Sequence, residues 1–198
     1  KDLTVAHNEL VARISLKDSA KEIREKEKKF KNAKKLLESG ELKKYEYSDG
    51  RYCIVSPGSI KDIYEEGIVL KHCIHTCDIY FQRMDIRETY LLFLRRTEKP
   101  DVPWYTLEIE PGGNIRQKKS VLNEAYKDLD DAMPFLKKWQ QWVKKNLSAK
   151  DKKLAEKSDK ARKDGYKQLR EEKKLIWHGR LQGTLLADAL ENDFMEVV

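Results

Sequence analysis

Apolar positions along the chain keep changing rhythm, and each rhythm predicts an element. Between residues 2 and 39 they form a broken stripe (Leu3, Leu10, Ile14, Ile23, Phe30, Ala33, Leu37) among many charges. The stripe predicts one long helix with a narrow buried face, ended by Gly40. Lys44–Tyr47 and Arg51–Val55 then flank Ser48-Asp49-Gly50, where Asp-Gly supplies the positive φ of a tight hairpin. Ser56-Pro57-Gly58 stops the second strand. Ser59 is placed to cap a helix, with Asp62 three residues on as its capping-box partner. From 60 to 84 the residues Ile60, Ile63, Gly67, Leu70, Ile74, Cys77, Phe81 and Met84 recur at steps of three and four. They predict one helical seam, with Gly67 either admitting a close neighbour or marking a break into two helices.

Two strands come next. Thr89–Arg95 is apolar on both faces and is expected at the centre of its sheet. Tyr105–Glu110 alternates, and Pro111-Gly112-Gly113-Asn114 turns it back into Ile115–Lys119. The rest reads as helix over 129–147 and 150–176, with Gly179 and Gly183 before a last short helix, Thr184–Leu190. No internal repeat is visible. The fold class is α+β: a small antiparallel sheet, made of hairpin 44–55 and meander 89–119, packed with helices and carrying long charged helices at both ends. The expected division is an N-terminal helical segment 1–40, an α+β core 41–147 and a basic helical extension 148–198.

Composition sharpens this picture. Of 198 residues, 38% are charged, against about 25% in an ordinary globular chain, so part of the length is expected to be solvated helix. The longest apolar run, Tyr90–Leu94, is far short of the ~20 residues that span a bilayer, so no membrane insertion is expected. Three cysteines, Cys53, Cys73 and Cys77, are too few for a disulfide scaffold and suit a reducing cytoplasm. The first residue is Lys1 and no signal-like apolar run succeeds it, so the chain reads as an excerpt or processed product.

The net charge of +7 is concentrated. Lys137–Lys174 holds 15 Lys and Arg against 6 Asp and Glu, a net of +9, which leaves the remainder at −2. Trp139, Trp142 and Tyr166 are interleaved with these cations. Such a segment can contact nucleic-acid phosphates, with Lys144, Lys145, Lys152, Lys153, Lys163 and Lys167 as the candidates. It is equally readable as a solvated helix laced with i,i+4 pairs, and the two tryptophans as packing against the sheet.

Candidate chemistry gathers in Leu70–Tyr80. On a continuous helix His72, Thr76 and Tyr80 stand one turn apart, beside Cys73 and off the apolar seam, where they can face Thr106, Glu108 and Gln117 of the sheet. Four readings stay open. His72, Cys73, His75 and Cys77 are metal-ligand types, but a closed site usually draws on two separated pairs and no second pair exists. No cofactor is therefore expected, with an ion at His72, His75 and Cys77 left open. Cys73 as a nucleophile needs a base, and its helical neighbours point about 100° away. The plain reading makes the cysteines small hydrophobes and the histidines locally satisfied. The last is a His72-centred acid/base or binding site. Glu65-Glu66 and Asp130-Asp131 are expected on solvated helix faces. No Gly-rich phosphate loop, C-x-x-C or H-E-x-x-H occurs.

At this cluster the chain resembles the PcfJ-like family. The resemblance rests on Glu66-Gly67-Ile68-Val69-Leu70-Lys71-His72-Cys73-Ile74, on Leu92-Phe93-Leu94-Arg95 and on Pro100-Asp101-Val102-Pro103-Trp104-Tyr105-Thr106-Leu107-Glu108-Ile109. Ile115-Arg116-Gln117, Asn123 and the opening Asp2-Leu3-Thr4-Val5-Ala6-His7 complete it, over roughly residues 1–143. The chain departs from the family pattern where His75 fills a glycine position, where Tyr80 is displaced, and in Lys118–Asn123, which lacks a glycine. The family is named for a gene in the transfer region of a conjugative plasmid, with relatives in phage and other mobile elements of bacteria. The resemblance thus implies an accessory protein of a mobile element, associated with DNA or RNA or with a DNA-handling complex. It also implies that His72 and Gln117 share a site. As an enzyme, a hydrolase or transferase including phosphodiester cleavage, the protein would use His72 as acid/base with Glu108 and Gln117 as orienting groups. Cys73, Thr76, Tyr80, Thr106 and Asn123 would then line the binding site. A third expectation is an interaction module of a larger assembly or homo-oligomer.

Overall fold

A computed structural model describes residues 19–177, 179 and 181–197. The predicted first helix lies outside these residues up to Lys17 and Asp18. Its remainder forms two helices, α1 (Ala20–Lys29) and α2 (Lys31–Glu38). Phe30 breaks them apart with a non-helical backbone, and the break buries its ring in a 5.7 Å stack on Phe81. Gly40, at φ 70°, ends the second helix as its sequence position predicts.

The hairpin forms around Asp49-Gly50, with Gly50 at φ 90°. Its first strand is shorter than expected: β1 is only Tyr47–Ser48, because Glu41–Tyr45 winds into a 3₁₀ turn. This turn buries Leu42 and Tyr45, which an extended strand would present to opposite faces. After β2 (Tyr52–Val55), α3 (Ile60–Leu70) starts at a complete Ser59/Asp62 capping box.

The 60–84 seam is not one helix. It is α3, an irregular connector over 71–77, and α4 (Asp78–Asp85). The break is a Schellman motif: Lys71 adopts a left-handed backbone, Lys71 N–H donates to Ile68 O and His72 N–H to Gly67 O. Glycine usually holds that position, so residue type gave no warning. Gly67 keeps its predicted role as a close-approach point. A Cβ there would stand 2.2 Å from His75 Nδ1. Cys77, expected on the buried seam, is instead the half-buried N-cap of α4.

Strands β3 (Tyr90–Arg96), β4 (Tyr105–Ile109) and β5 (Ile115–Lys119) complete a five-stranded antiparallel sheet in the order β1-β2-β3-β4-β5, with β3 central. Directly paired residues share a face. Ile54, Leu94 and Tyr105 lie on one, with Tyr90, Leu92, Leu107 and Ile109. There α5 (Met133–Lys145) packs, with Phe135 against Tyr52 and Trp139 Nε1–H donating to Tyr45 O at 2.8 Å. The opposite face carries Leu91, Phe93, Arg95, Thr106, Glu108 and Gln117. It is covered by α3, the connector and α4, which set Glu66, His72 and Arg83 against it. α4 is also tied to the first two helices. Asp78 pairs with Lys26 and Lys29, and Asp85 accepts from the N–H groups of Asn32 and Ala33 at the uncapped start of α2.

The last segment packs on the sheet. α6 (Ala149–Glu171) ends five residues before the predicted 176, and the final helix α7 is Leu186–Asp193, shifted from the predicted 184–190. A bulge in β5 frees Arg116 to meet Glu88 at 2.6 Å, Glu110 at 2.9 Å and Ser158 O of α6 at 3.0 Å. Arg162 of α6 shares Glu110, also at 2.9 Å. Met195 forms a two-bond bridge with Ile115 at the β5 edge. Among the described residues, no helix is long and apolar enough to cross a membrane.

Candidate functional site

The connector lays His72 on the polar face of the sheet, almost fully buried at 2% exposure. Its Nε2 lies 3.0 Å from Thr106 Oγ1, and Thr106 Oγ1 donates to Glu66 Oε1 at 3.1 Å. Glu66 takes the forked guanidinium of Arg95, with NH1 at 3.0 Å from Oε1 and NH2 on Oε2. Burial is the largest influence on Glu66 and leaves its pKa raised, with Arg95 and Thr106 pulling it part of the way back. The bidentate fork of Arg95 uses both carboxyl oxygens as acceptors. Glu66 is thus no solvated-face residue, contrary to the sequence expectation. Its partner Arg95 is 29 residues away, beyond the reach of any local pattern.

The relay fixes a tautomer. The single proton of Thr106 goes to Glu66, so Thr106 can only accept from His72, which must carry its proton on Nε2. Nδ1 then holds a lone pair. It is buried and has no hydrogen-bond partner. Burial lowers the His72 pKa to about 4, so the ring is neutral near pH 7. Such an imidazole is an acceptor more than a proton carrier.

Two residues along β4, Glu108 anchors a second network. It accepts from Arg83 and Thr89 at 2.9 Å each and from Gln117 Nε2 at 3.2 Å, and Tyr80 OH donates to Gln117 Oε1 at 3.4 Å. Glu108 and Gln117 are therefore in contact across β4 and β5. His72 shares their sheet face but bonds to Thr106 rather than to either of them. Arg83 and Thr89, which complete this network, carried no sequence signal. Of the other expected site residues, Thr76 is exposed and its hydroxyl turns back to Cys73 O at 3.2 Å. The one-turn strip His72-Thr76-Tyr80 does not exist, because no helix runs through it.

Cys73 and Asn123 form the outer rim. Asn123 Oδ1 accepts from Cys73 N–H at 3.4 Å and lies 3.6 Å from its thiol. Burial raises the Cys73 pKa, and the neighbouring Cys77 raises it further. The thiol stays protonated near pH 7, which argues against a nucleophilic role. Asn123 and Leu122 are both left-handed, at φ 62° and 58°. With Lys71, three of the five non-glycine residues at positive φ among the described residues flank this one site. Each costs about 1–3 kcal/mol, and Leu122, at 61% exposure, recovers none of it by burial.

His75 points away from the relay, with Nδ1 3.1 Å from His72 O and its ring edge-on to Tyr64. Among the described residues no three His, Cys, Asp or Glu side chains converge to hold a metal, and His72, His75 and Cys77 do not form such a group. All three cysteines are free thiols.

The basic segment presents a second candidate surface. α5 buries Phe135, Leu136, Trp139, Gln140 and Val143 and exposes Lys137, Lys138, Lys144 and Lys145. No carboxylate lies within it. In α6, Asp151, Ser158, Arg162 and Tyr166 face inward, while Lys152, Lys153, Lys163 and Lys167 are exposed. Lys163 pairs with Asp159 at 2.7 Å and Lys167 with Glu171 at 3.9 Å, exposed pairs of little energetic weight. Among the described residues Lys144, Lys145, Lys152 and Lys153 have no ion-pair partner.

In comparisons with known proteins, a family model described as PcfJ-like protein matches residues 1–133. That span contains His72, Thr106, Glu108, Gln117 and Asn123, and stops short of the lysine-bearing part of α5 and all of α6. No curated protein and no solved structure gives a significant match.

Proposed function

The chain belongs to the PcfJ-like protein family, and on that premise we propose that it is a nucleic-acid-associated accessory protein of a mobile element, gripping phosphates through α5 and α6. The observation that carries this reading is the solvent face of α5: four lysines, Lys137, Lys138, Lys144 and Lys145, with no acid between Met133 and Lys145. A merely solvated helix gains from alternating Lys and Glu, which pair at i,i+4. A one-sign face forgoes that gain and repels itself. It becomes favourable when a polyanion neutralises it and its counterions are released. The exposed lysines of α6 extend the charge along a second helix.

A gel-shift series with duplex and single-stranded DNA and with RNA, from about 50 to 200 mM salt, tests the reading. Several phosphate contacts predict affinity falling by orders of magnitude over that range. The absence of any complex at the lowest salt would refute it.

A further inference from the structure

We propose that the phosphate track has a second arm on α2, reached from α6 across the contact of Lys150 with Glu41, so that one nucleic-acid backbone lies along both helices. The proposal rests on the reading that α6 grips phosphates. It adds to that reading a surface within residues 1–133, the span that matches the family.

The first support is continuity. A groove of about 320 Å³ runs along α2 between Lys31, Lys34, Lys35, Glu38 and Ser39. Lys35 and Ser39 also line a second groove, of about 400 Å³, which reaches Glu41, Asp85 and Arg87. Glu41 Oε1 stands 3.9 Å from Lys150 Nζ, and Lys44 of the same 3₁₀ turn binds Asp151 at 2.6 Å, which fastens the turn to the start of α6. Lys150 in turn lines a third groove, of about 390 Å³, with Lys153, Leu154 and Lys157. α2 and α6 are thus joined by shared wall residues and two ion pairs.

The second support is the charge of the walls. The three grooves are lined by seven cations and three carboxylates. The carboxylates are already engaged. Arg87 takes both oxygens of Glu41, at 2.5 and 2.9 Å. Asp85 accepts from the N–H groups of Asn32 and Ala33 and from Asn32 Nδ2. Glu38 lies 3.7 Å from Lys34, which sits nearer to Glu27, at 3.1 Å. Glu156 is on α6 but does not line the groove there. Lys31, Lys35, Lys153 and Lys157 are exposed and have no ion-pair partner among the described residues. Lys31 with Lys35, and Lys153 with Lys157, are like charges at i,i+4, a spacing that costs helix stability where a glutamate in place of one lysine would gain it.

The third support is extent. Lys150 to Lys157 covers about 10 Å of helix, and the Glu41 turn and α2 lengthen the run. A single phosphate or carboxylate engages one groove. A polynucleotide carries a phosphate at every residue and can engage all three, releasing a counterion at each lysine it neutralises.

The test uses the full chain with fluorescein-labelled duplex DNA, single-stranded DNA and RNA of about 20 residues, and reads affinity by anisotropy from about 50 to 200 mM salt. Lys31→Gln/Lys35→Gln should bind more weakly, with a salt slope shallower by about 1–2, as the loss of two phosphate contacts requires. Lys31→Arg/Lys35→Arg keeps the charge and should keep the wild-type slope. The control is Lys99→Gln/Lys127→Gln, which removes the same charge from exposed positions at the other end of β3: Lys99 follows the strand, and Lys127 adjoins Asp128, the partner of Arg96. Its slope should equal that of wild type. If wild type binds and the α2 pair alters the slope no more than the control does, the second arm is overturned while the reading of α5 and α6 stands. Polyglutamate that binds wild type as tightly as the nucleic acids do, and loses as much affinity in the α2 variant, would assign the surface to an acidic protein and also overturn it. No complex of wild type with any of the three nucleic acids at the lowest salt overturns both readings.

Discussion

Acid should weaken this fold through His72 in a calculable way. The ring is buried, neutral and held at a pKa of about 4, whereas in the unfolded chain it returns to the ordinary 6.5. Between those values the unfolded state binds a proton that the folded state refuses. Stability is therefore complete above about pH 6.5, declines as the pH falls, and has lost its full increment below about pH 4. That increment is about 3 kcal/mol, and about 2 kcal/mol of it disappears between pH 7 and pH 5. His72→Gln is the informative comparison, because glutamine can still donate to Thr106 but does not titrate. The His75 pKa is also lowered by burial, and its contribution cancels between the two proteins. Urea unfolding at pH 7, 6 and 5 should show wild type losing about 2 kcal/mol more than His72→Gln. Equal losses would refute both the buried, neutral ring and the tautomer argument built on it.

Other consequences are as direct. Arg95→Met leaves Glu66 buried and unpaired and should cost about 3–5 kcal/mol in urea unfolding, whereas a loss under about 1 kcal/mol would mean that the pair is hydrated. Gly67→Ala adds a Cβ 2.2 Å from the His75 ring, so the melting temperature should fall despite alanine's higher helix propensity; an unchanged or higher value would contradict the packing. Lys71→Gly relieves the left-handed lysine at the end of α3 and should raise stability by about 1 kcal/mol in the same assay, and a loss would contradict the Schellman geometry.

What the sequence disclosed, it disclosed through local chemistry. Asp49-Gly50, the Ser59/Asp62 box, the two-sided apolar run of β3 and the alternation of β4 each act within a few residues, and each is where its pattern places it. The family motifs singled out His72, Gln117 and Asn123, which the structure places on or beside the polar face of the sheet. The break between α3 and α4 was hidden for a definable reason. Ile74, Phe81 and Met84 continue the 3–4 spacing across the connector and are buried, so the periodicity survives where the helix does not. Lys71 occupies a glycine's backbone without a glycine's signature. The pairings Glu66–Arg95, Arg83–Glu108 and Glu110–Arg162 join residues 29, 25 and 52 apart. Such contacts are made by topology and leave no periodic trace, so Glu66 read as one more charged residue on a helix.

The claim that DNA or RNA is gripped through α5 and α6 is tested most directly by the salt slope of a lysine variant. Lys144, Lys145, Lys152 and Lys153 would be changed together to alanine and the affinity for duplex DNA measured against the logarithm of salt concentration. If each cation neutralises one phosphate, the slope should become shallower by about 3–4, with folding intact by circular dichroism. An unchanged slope, or binding as tight as wild type at every salt, would contradict the account.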